Sequence, residues 1–437
     1  MEPVKIIGAG LAGCEAAWQL VQRDIPVILY EMRPAVMTPA HRTGGFAELV
    51  CSNSLRAAAV TNGVGLLKEE MRRLGSLVMA AADATAVPAG GALAVDRERF
   101  SALIEEKLRR HPLVEVRQEE VTAIPCGTVI VAAGPLASPA LSRAVQELIG
   151  EEELFFHDAI APIVDAASID MHVAFFASRY DKGSGSDYLN CPMTKEQYGE
   201  FYTELLAAEV APLHGFEKEK HFSGCMPVES MARLGRDAIR FGPLKPVGIR
   251  LPDGGSAYAV VQLRKEDTAG TAYNIVGFQT RLKQGEQRRV FRMIPGLENA
   301  DFLRYGSMHR NTYLNAPRVL DPWQRLRGRE DLFFAGQITG VEGYVESAAS
   351  GLLAGMCAAA YAVDKPLPVL PPETACGSML RFLQTPRGDF QPSNVNFGLF
   401  LPLELKKKLP KKERYQMYAD RALRALAGFL ERQNHDG

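Results

Sequence analysis

Apolar and polar positions alternate in blocks along the chain, and the first block is the most regular. Residues 4 to 31 read as the apolar run VKIIGAG, then LAGCEAAWQLVQR with apolar positions at helical spacing, then PVILYE. That order predicts strand, glycine turn, helix and strand, which is half of a doubly wound parallel sheet. Residues 93 to 134 predict a helix over RERFSALIEEKLRRHP, a strand over VEVRQEEV and a strongly apolar strand, TVIVAAG, ending at Gly134. From about residue 155 the pattern breaks into short strands between turn-rich stretches such as YDKGSGSDYLNCP and LPDGGSAYAVVQLRK, as expected of an inserted α+β unit. DLFFAGQITGVEGYVESAASGLLAGMCAAAYAV then returns to apolar strand, glycine turn and small-residue helix. The expected fold class is α/β: a Rossmann-like domain of the two-dinucleotide-binding type from residues 1–160 and 305–437, with residues 161–304 inserted as a substrate-facing α+β domain. KPLPVLPPET (365–374) must run extended because consecutive prolines forbid a helix interior, and Lys411 to Glu431 predicts an amphipathic helix.

Composition narrows the class. The 437 residues are 47% hydrophobic and 23% charged with a mean hydropathy of -0.08, values of an ordinary globular protein large enough for two cores. A net charge of -1 excludes the uniformly basic surface of a nonspecific nucleic-acid binder, although two local basic runs stand out. One spans residues 281 to 329 and includes Arg288, Arg289, Arg292, Arg304, Arg310 and Arg318; the other is LKKKLPKKERY (405–415). No stretch approaches 18 uninterrupted apolar residues and the chain opens directly on a strand, so the expected location is cytoplasmic, with no membrane partner. Seven cysteines without a CxxC pair predict neither a zinc site nor a disulfide framework, and no metal is expected.

Gly8, Gly10 and Gly13 form GxGxxG between the first strand and helix, with Ala9, Leu11 and Ala12 between them and Glu31 closing the next strand. The first glycine permits the tight turn, the second lets backbone approach a pyrophosphate, and the helix N-terminus meets its charge. Glu31 is placed to accept hydrogen bonds from the adenosine ribose. A nicotinamide dehydrogenase has no need of the second glycine turn, Gly336 and Gln337 in LFFAGQITG, so the expected resident cofactor is FAD, with Gly134 beneath it and NADH or NADPH as a transient reductant.

Cysteine positions divide into two groups. Cys14, Cys126 and Cys357 lie in apolar runs and are expected to be buried, Cys191 and Cys376 are left open, and Cys51 and Cys225 stand in polar loops. A thiolate needs cationic help, for which Arg56 and Arg233 are the nearest candidates in sequence.

The segments GAGLAGCEAAWQL, ELVCSNSLR, DYLNCPMTKEQY, GCMPVESMARLGRDAIRFGPLKPVG, IPGLENADFLRYGSMHRNTYLNAP, FAGQITGVEGYVESAASGLLAG and NFGLFLPL together resemble the folate- and FAD-dependent tRNA (uracil-5-)-methyltransferases, the TrmFO family, over nearly the whole chain. The resemblance implies transfer of a one-carbon unit from 5,10-methylenetetrahydrofolate to carbon 5 of uridine 54 in the T loop of tRNA, with FADH2 as reductant regenerated by NAD(P)H. It also implies Cys225 as the nucleophile at carbon 6 and Cys51 as the base at carbon 5, or the two roles exchanged. His309 is placed to reach the flavin face and stack on the pterin ring, and the arginines around it would meet folate carboxylates or tRNA phosphates. Three other functions fit parts of the pattern: a flavin-dependent thiol/disulfide oxidoreductase, a GidA-like protein modifying wobble uridine, and a noncatalytic RNA-binding module stabilised by FAD.

Overall fold

The structure is a computed structural model that describes residues 1–150, 154–181, 183, 185–211, 226–267, 269–386, 390–405 and 409–435, with backbone alone at 154–160, 181, 308–310, 434 and 435. Cys225 lies outside the described residues, and so does the side chain of His309.

Among the described residues, the first strand, Val4–Ile7, lies inside a six-stranded sheet. Spatially the order is Arg325–Leu326, Arg329–Phe334, Val129–Val131, Val4–Ile7, Val27–Tyr30 and Val114–Arg117. All pairs are parallel except the first, an antiparallel edge. The three central strands are apolar runs because helices cover both faces. Val129, Ile130 and Val131 are wholly buried. The early, middle and late strand patterns thus meet in one sheet, as the sequence predicts for the α/β class.

Each helix over this sheet has a local cause. Arg97–Arg109 starts where the Asp96 side chain accepts from the Arg99 amide, and it buries Phe100, Ile104 and Leu108 at four-residue spacing. Each such side chain contributes about 1.5–3 kcal/mol by leaving water. Tyr344–Ala362 is long and apolar enough to cross a membrane, yet it is a core helix, packed against the glycine-turn helix Leu11–Val21. Small residues set that packing: a Cβ on Gly351 would fall 2.1 Å from the Ala12 carbonyl oxygen. The proline-rich link carries no helix, and Ala375–Gln384 begins only after Thr374, whose hydroxyl accepts from the Gly377 amide. Buried Glu70 accepts the next two free amides, from Ala375 (2.7 Å) and Cys376 (2.9 Å), while burial pushes its carboxyl up to about 7. The tail helix runs Lys411–His435, slightly longer than predicted.

A second six-stranded sheet, antiparallel, runs in the order Phe175–Ala177, Tyr188–Met193, Ala259–Lys265, Ala272–Ile275, Ile163–Asp165 and Phe302–Arg304. Its own core includes Tyr198, Phe201, Phe278 and Phe291. Paired strands Leu154–Ile160 and Ser307–Tyr313 join this unit to the parallel sheet, and His309 lies opposite Asp158 in that ladder. The two units are tied by Arg97 to Glu266 (2.6 Å), by the Asn53 amide to the Lys265 carbonyl (2.7 Å), and by the Tyr188 hydroxyl to the Ala89 carbonyl (2.9 Å).

Candidate active site

The glycine turn opens onto a groove lined by Gly8, Gly10, Leu11, Ala12, Glu31, Gly134 and Gln337. Gly8 has φ +102° and a Cβ there would lie 2.7 Å from the Ala132 carbonyl, so only glycine lets the turn pass over the strand. Gly10 has ordinary backbone angles, and a Cβ on it would meet nothing within 4 Å, because that side faces the groove. Ala9, Gly13 and Gly336 stand behind the wall: the Ala9 amide donates to Glu31 (3.0 Å), Gly13 packs on the Gly8 carbonyl, and the Gly336 amide donates to Ser350 (2.9 Å).

Arg33 is a participant that the sequence reading missed. Its Nε and Nη2 and its own amide all donate to the Glu31 carboxylate, with Ala9 completing the set. Burial alone would raise Glu31, but the Arg33 hydrogen bonds and charge outweigh it and hold the carboxylate below its ordinary range. A ribose hydroxyl at Glu31 therefore meets a fixed, ionised acceptor and shares it with Arg33. A helix N-terminus, a side-chain-free approach at Gly10 and an anchored carboxylate fit a dinucleotide.

Beyond Val50, Pro135, Leu136, Gln337 and Tyr344, which border both spaces, a second cavity of about 410 Å³ holds Cys51. Cys51 is half-buried, with its Sγ 2.9 Å from the Tyr344 hydroxyl. The Cys51 and Ser52 amides both donate to that hydroxyl oxygen, at 2.7 and 3.3 Å, which leaves the phenolic hydrogen directed to sulfur. Burial, followed by the neighbouring Cys51, pushes the Tyr344 phenol well above its usual value, so it remains a donor. Arg97 holds the Leu49 carbonyl (2.6 Å), and Arg264 donates to Ser52 Oγ (2.6 Å) and Asn53 Oδ1 (2.8 Å), fixing the loop on both sides of the thiol.

The charges of Arg97, Arg264 and Arg304 all couple to Cys51. Of the three, Arg264 lines the cavity with Cys51, and Arg97 is paired with Glu266. Arg56, the candidate nearest in sequence, borders the same cavity but is paired with the buried carboxylate of Glu346. Arg233 is exposed at the end of the helix Val228–Arg233, and the cysteine it was expected to assist lies outside the described residues.

Cys14, Cys191, Cys357 and Cys376 are buried, and burial raises each thiol, Cys191 and Cys357 to about 12. Cys126 departs from expectation. It is exposed, because the apolar strand starts only at Val129 and Cys126 sits in the turn before it. In the basic runs, Arg289 pairs with Glu204 and Glu286, Arg288 donates to the Tyr305 hydroxyl, and Arg292 to the Ala300 carbonyl.

Tyr344→Phe removes the acceptor of two amides and the donor to Cys51 while keeping the ring. Its expected result is a product-formation rate lowered about 10- to 100-fold at full FAD occupancy, with roughly 1–3 kcal/mol of stability lost. Parallel turnover and thermal melts check it; unchanged turnover would remove Tyr344 from the site.

The parallel sheet carrying two glycine turns, with an antiparallel unit inserted between them, is the fold of GidA-type flavoproteins, and the chain falls in that class. Two crystal forms of Aquifex aeolicus GidA superpose at TM-scores of 0.70 and 0.71, each covering 98% of this chain and 73% and 76% of theirs, at 18% and 19% identity. The family model described as glucose inhibited division protein A matches residues 3–366. Proteins named methylenetetrahydrofolate–tRNA-(uracil-5-)-methyltransferase TrmFO are far more similar in sequence. That of Heliobacterium modesticaldum is 60% identical, with 98% of both chains covered, and that of Listeria monocytogenes serotype 4b is 59% identical, with 98% of this chain and 99% of its own covered. That of Desulfitobacterium hafniense is 58% identical with both chains covered in full. The chain belongs to the TrmFO family.

Proposed function

We propose that this protein methylates carbon 5 of uridine 54 in tRNA, taking the one-carbon unit from 5,10-methylenetetrahydrofolate and its reducing equivalents from FADH2 regenerated by NAD(P)H. The observation that supports the reading is the position of Cys51, held by Tyr344, in a cavity that Arg264 also lines and whose wall is shared with the dinucleotide groove.

Carbon 5 of uracil is a weak nucleophile. A thiolate adding to carbon 6 converts the base to an enolate whose carbon 5 attacks the methylene electrophile; a second group then removes the carbon 5 proton as tetrahydrofolate leaves, and hydride delivered to the resulting exocyclic methylene releases the thiolate from carbon 6. Cys225 supplies the first thiolate and Cys51 the base. Positive charge beside a cysteine favours its thiolate, which is the form able to take a proton, and Tyr344 holds the sulfur in place. Gly10, Glu31 and Arg33 hold the adenosine and pyrophosphate end of FAD, and Gln337 borders its far end. Bound and reduced, FAD supplies the hydride that completes the methyl group. Residues 161–304 present the substrate side, and His309 covers the pterin.

The experiment is incubation with undermethylated tRNA, labelled methylenetetrahydrofolate and NAD(P)H, followed by nucleoside analysis. The expected product is labelled 5-methyluridine, lost when folate is omitted. Flavin reduction with no label in tRNA overturns the reading in favour of the thiol oxidoreductase.

A further inference from the structure

Two residues that border the Cys51 cavity, Gly277 and Gln279, also anchor the segment 228–250. The Val228 amide donates to the Gln279 carbonyl (2.7 Å), and a Cβ on Gly277 would fall 2.4 Å from the Pro243 Cβ. The segment therefore leaves the cavity wall with the helix Val228–Arg233, passes through Arg236–Phe241 and returns to the wall at Pro243. Its far part is fixed as well: the Val260 amide donates to the Leu244 carbonyl (3.0 Å) and Arg179 to the Val247 carbonyl (3.0 Å). It carries five cations, Arg233, Arg236, Arg240, Lys245 and Arg250, and two carboxylates, of which Glu229 is buried on Thr280 and Arg281. Arg233, Arg236 and Arg250 are exposed, and among the described residues only Arg240 of the five pairs with a carboxylate, Asp237 at 3.7 Å. Large apolar side chains stand open in the same segment: Leu234 is 71% exposed and Phe241 61%, and exposed Tyr180 packs on Gly248. The arginines at 288–292 differ, because their partners are already in place.

We propose that residues 233–250 form the surface on which tRNA docks, with phosphates at Arg233, Arg236, Lys245 and Arg250 and an unstacked base on Phe241. This rests on the function proposed above: a uridine held in the Cys51 cavity leaves its flanking nucleotides at the cavity rim, where this segment begins and returns. Charge decides the occupant. A second copy docked through the same patch would set these cations against their own counterparts, whereas a polyanion with exposed bases satisfies both the cations and the bare ring.

The test measures binding of an unmodified tRNA transcript to FAD-loaded protein by fluorescence anisotropy over a range of salt concentrations, a reading that needs no turnover. Arg236→Ala/Arg250→Ala is expected to raise the Kd at least about 10-fold at low salt and to reduce the slope of log Kd against log salt by roughly 1 for each residue. Should that pair melt well below wild type, Arg250→Ala alone is expected to reduce the slope by roughly 1. Arg236→Lys/Arg250→Lys keeps the charges and is expected to keep the slope. Phe241→Ser is expected to weaken binding about 10-fold at an unchanged slope, because stacking releases no counterions. Arg288→Ala/Arg289→Ala, which removes cations already partnered, is expected to bind as wild type does. A wild-type slope in the alanine variants, or an equal loss in the Arg288 and Arg289 variant, overturns the proposal. So does a Phe241→Ser protein that binds tRNA normally but changes its oligomeric state, which would assign the patch to a second copy. If wild type binds tRNA without methylating it, the proposed function falls while the slopes still decide the docking surface; if wild type methylates tRNA and the alanine variants keep the wild-type slope, the docking surface falls alone.

Discussion

Cys51→Ala is expected to stay folded and yellow while methyl transfer falls at least about a thousandfold, the scale of losing a group that acts on the reacting atoms. The groove proposed for FAD is untouched by the change, because Cys51 stands in the adjoining cavity and Ala9, Glu31 and Arg33 in the groove wall are bonded to one another. The same loss is expected of Cys225→Ala, but the two variants stop at different points. Without the base, carbon 6 remains bonded to the nucleophilic thiol because the carbon 5 proton cannot leave, so protein and tRNA stay covalently joined. Without the nucleophile no bond to tRNA forms. A denaturing gel after incubation with tRNA and folate should therefore show a retarded tRNA-linked band for Cys51→Ala and none for Cys225→Ala. The reverse pattern exchanges the two roles, and normal methylation by Cys51→Ala removes that residue from the chemistry.

How far the sequence could be read follows the range of the interactions. The first glycine turn was legible because strand, turn and helix lie within residues 4 to 21, and Gly13 packs on the Gly8 carbonyl of the same turn. The parallel sheet was legible for a similar reason: apolar runs bounded by glycine must be covered on both faces. Cys51 could be singled out by its polar loop, but its partners could not. Tyr344 lies 293 residues away in sequence, and Arg264 reaches Ser52 across 212. No local pattern marks a tyrosine at the start of a small-residue helix as the acceptor of a distant loop's amides. Proximity in sequence misled in the case of Arg56, which lies near Cys51 in the chain but spends its charge on Glu346.

Two glycines in contact with the same helix should respond to valine in opposite ways. Gly10→Val is expected to give soluble, folded, colourless protein. The backbone there is extended, at φ -74° and ψ -172°, and a Cβ has free space within 4 Å, so the fold accepts the side chain. That free space is the approach to the helix N-terminus, and filling it excludes the pyrophosphate that the turn is shaped to receive. Gly351→Val is expected to leave little soluble protein, because its Cβ would fall 2.1 Å from the Ala12 carbonyl oxygen and 2.6 Å from the Ala12 Cα. Both obstacles are backbone, which cannot rotate away as a side chain can, so the cost exceeds the roughly 1–3 kcal/mol of ordinary overpacking. Against a total stability of about 5–15 kcal/mol, separating Leu11–Val21 from Tyr344–Ala362 would dismantle the core of the parallel-sheet unit. Soluble yield, circular dichroism and flavin absorbance separate the cases. A yellow Gly10→Val protein with stoichiometric FAD would show that the groove is not the pyrophosphate site, and a folded Gly351→Val protein would show that the two helices can part without loss of the core.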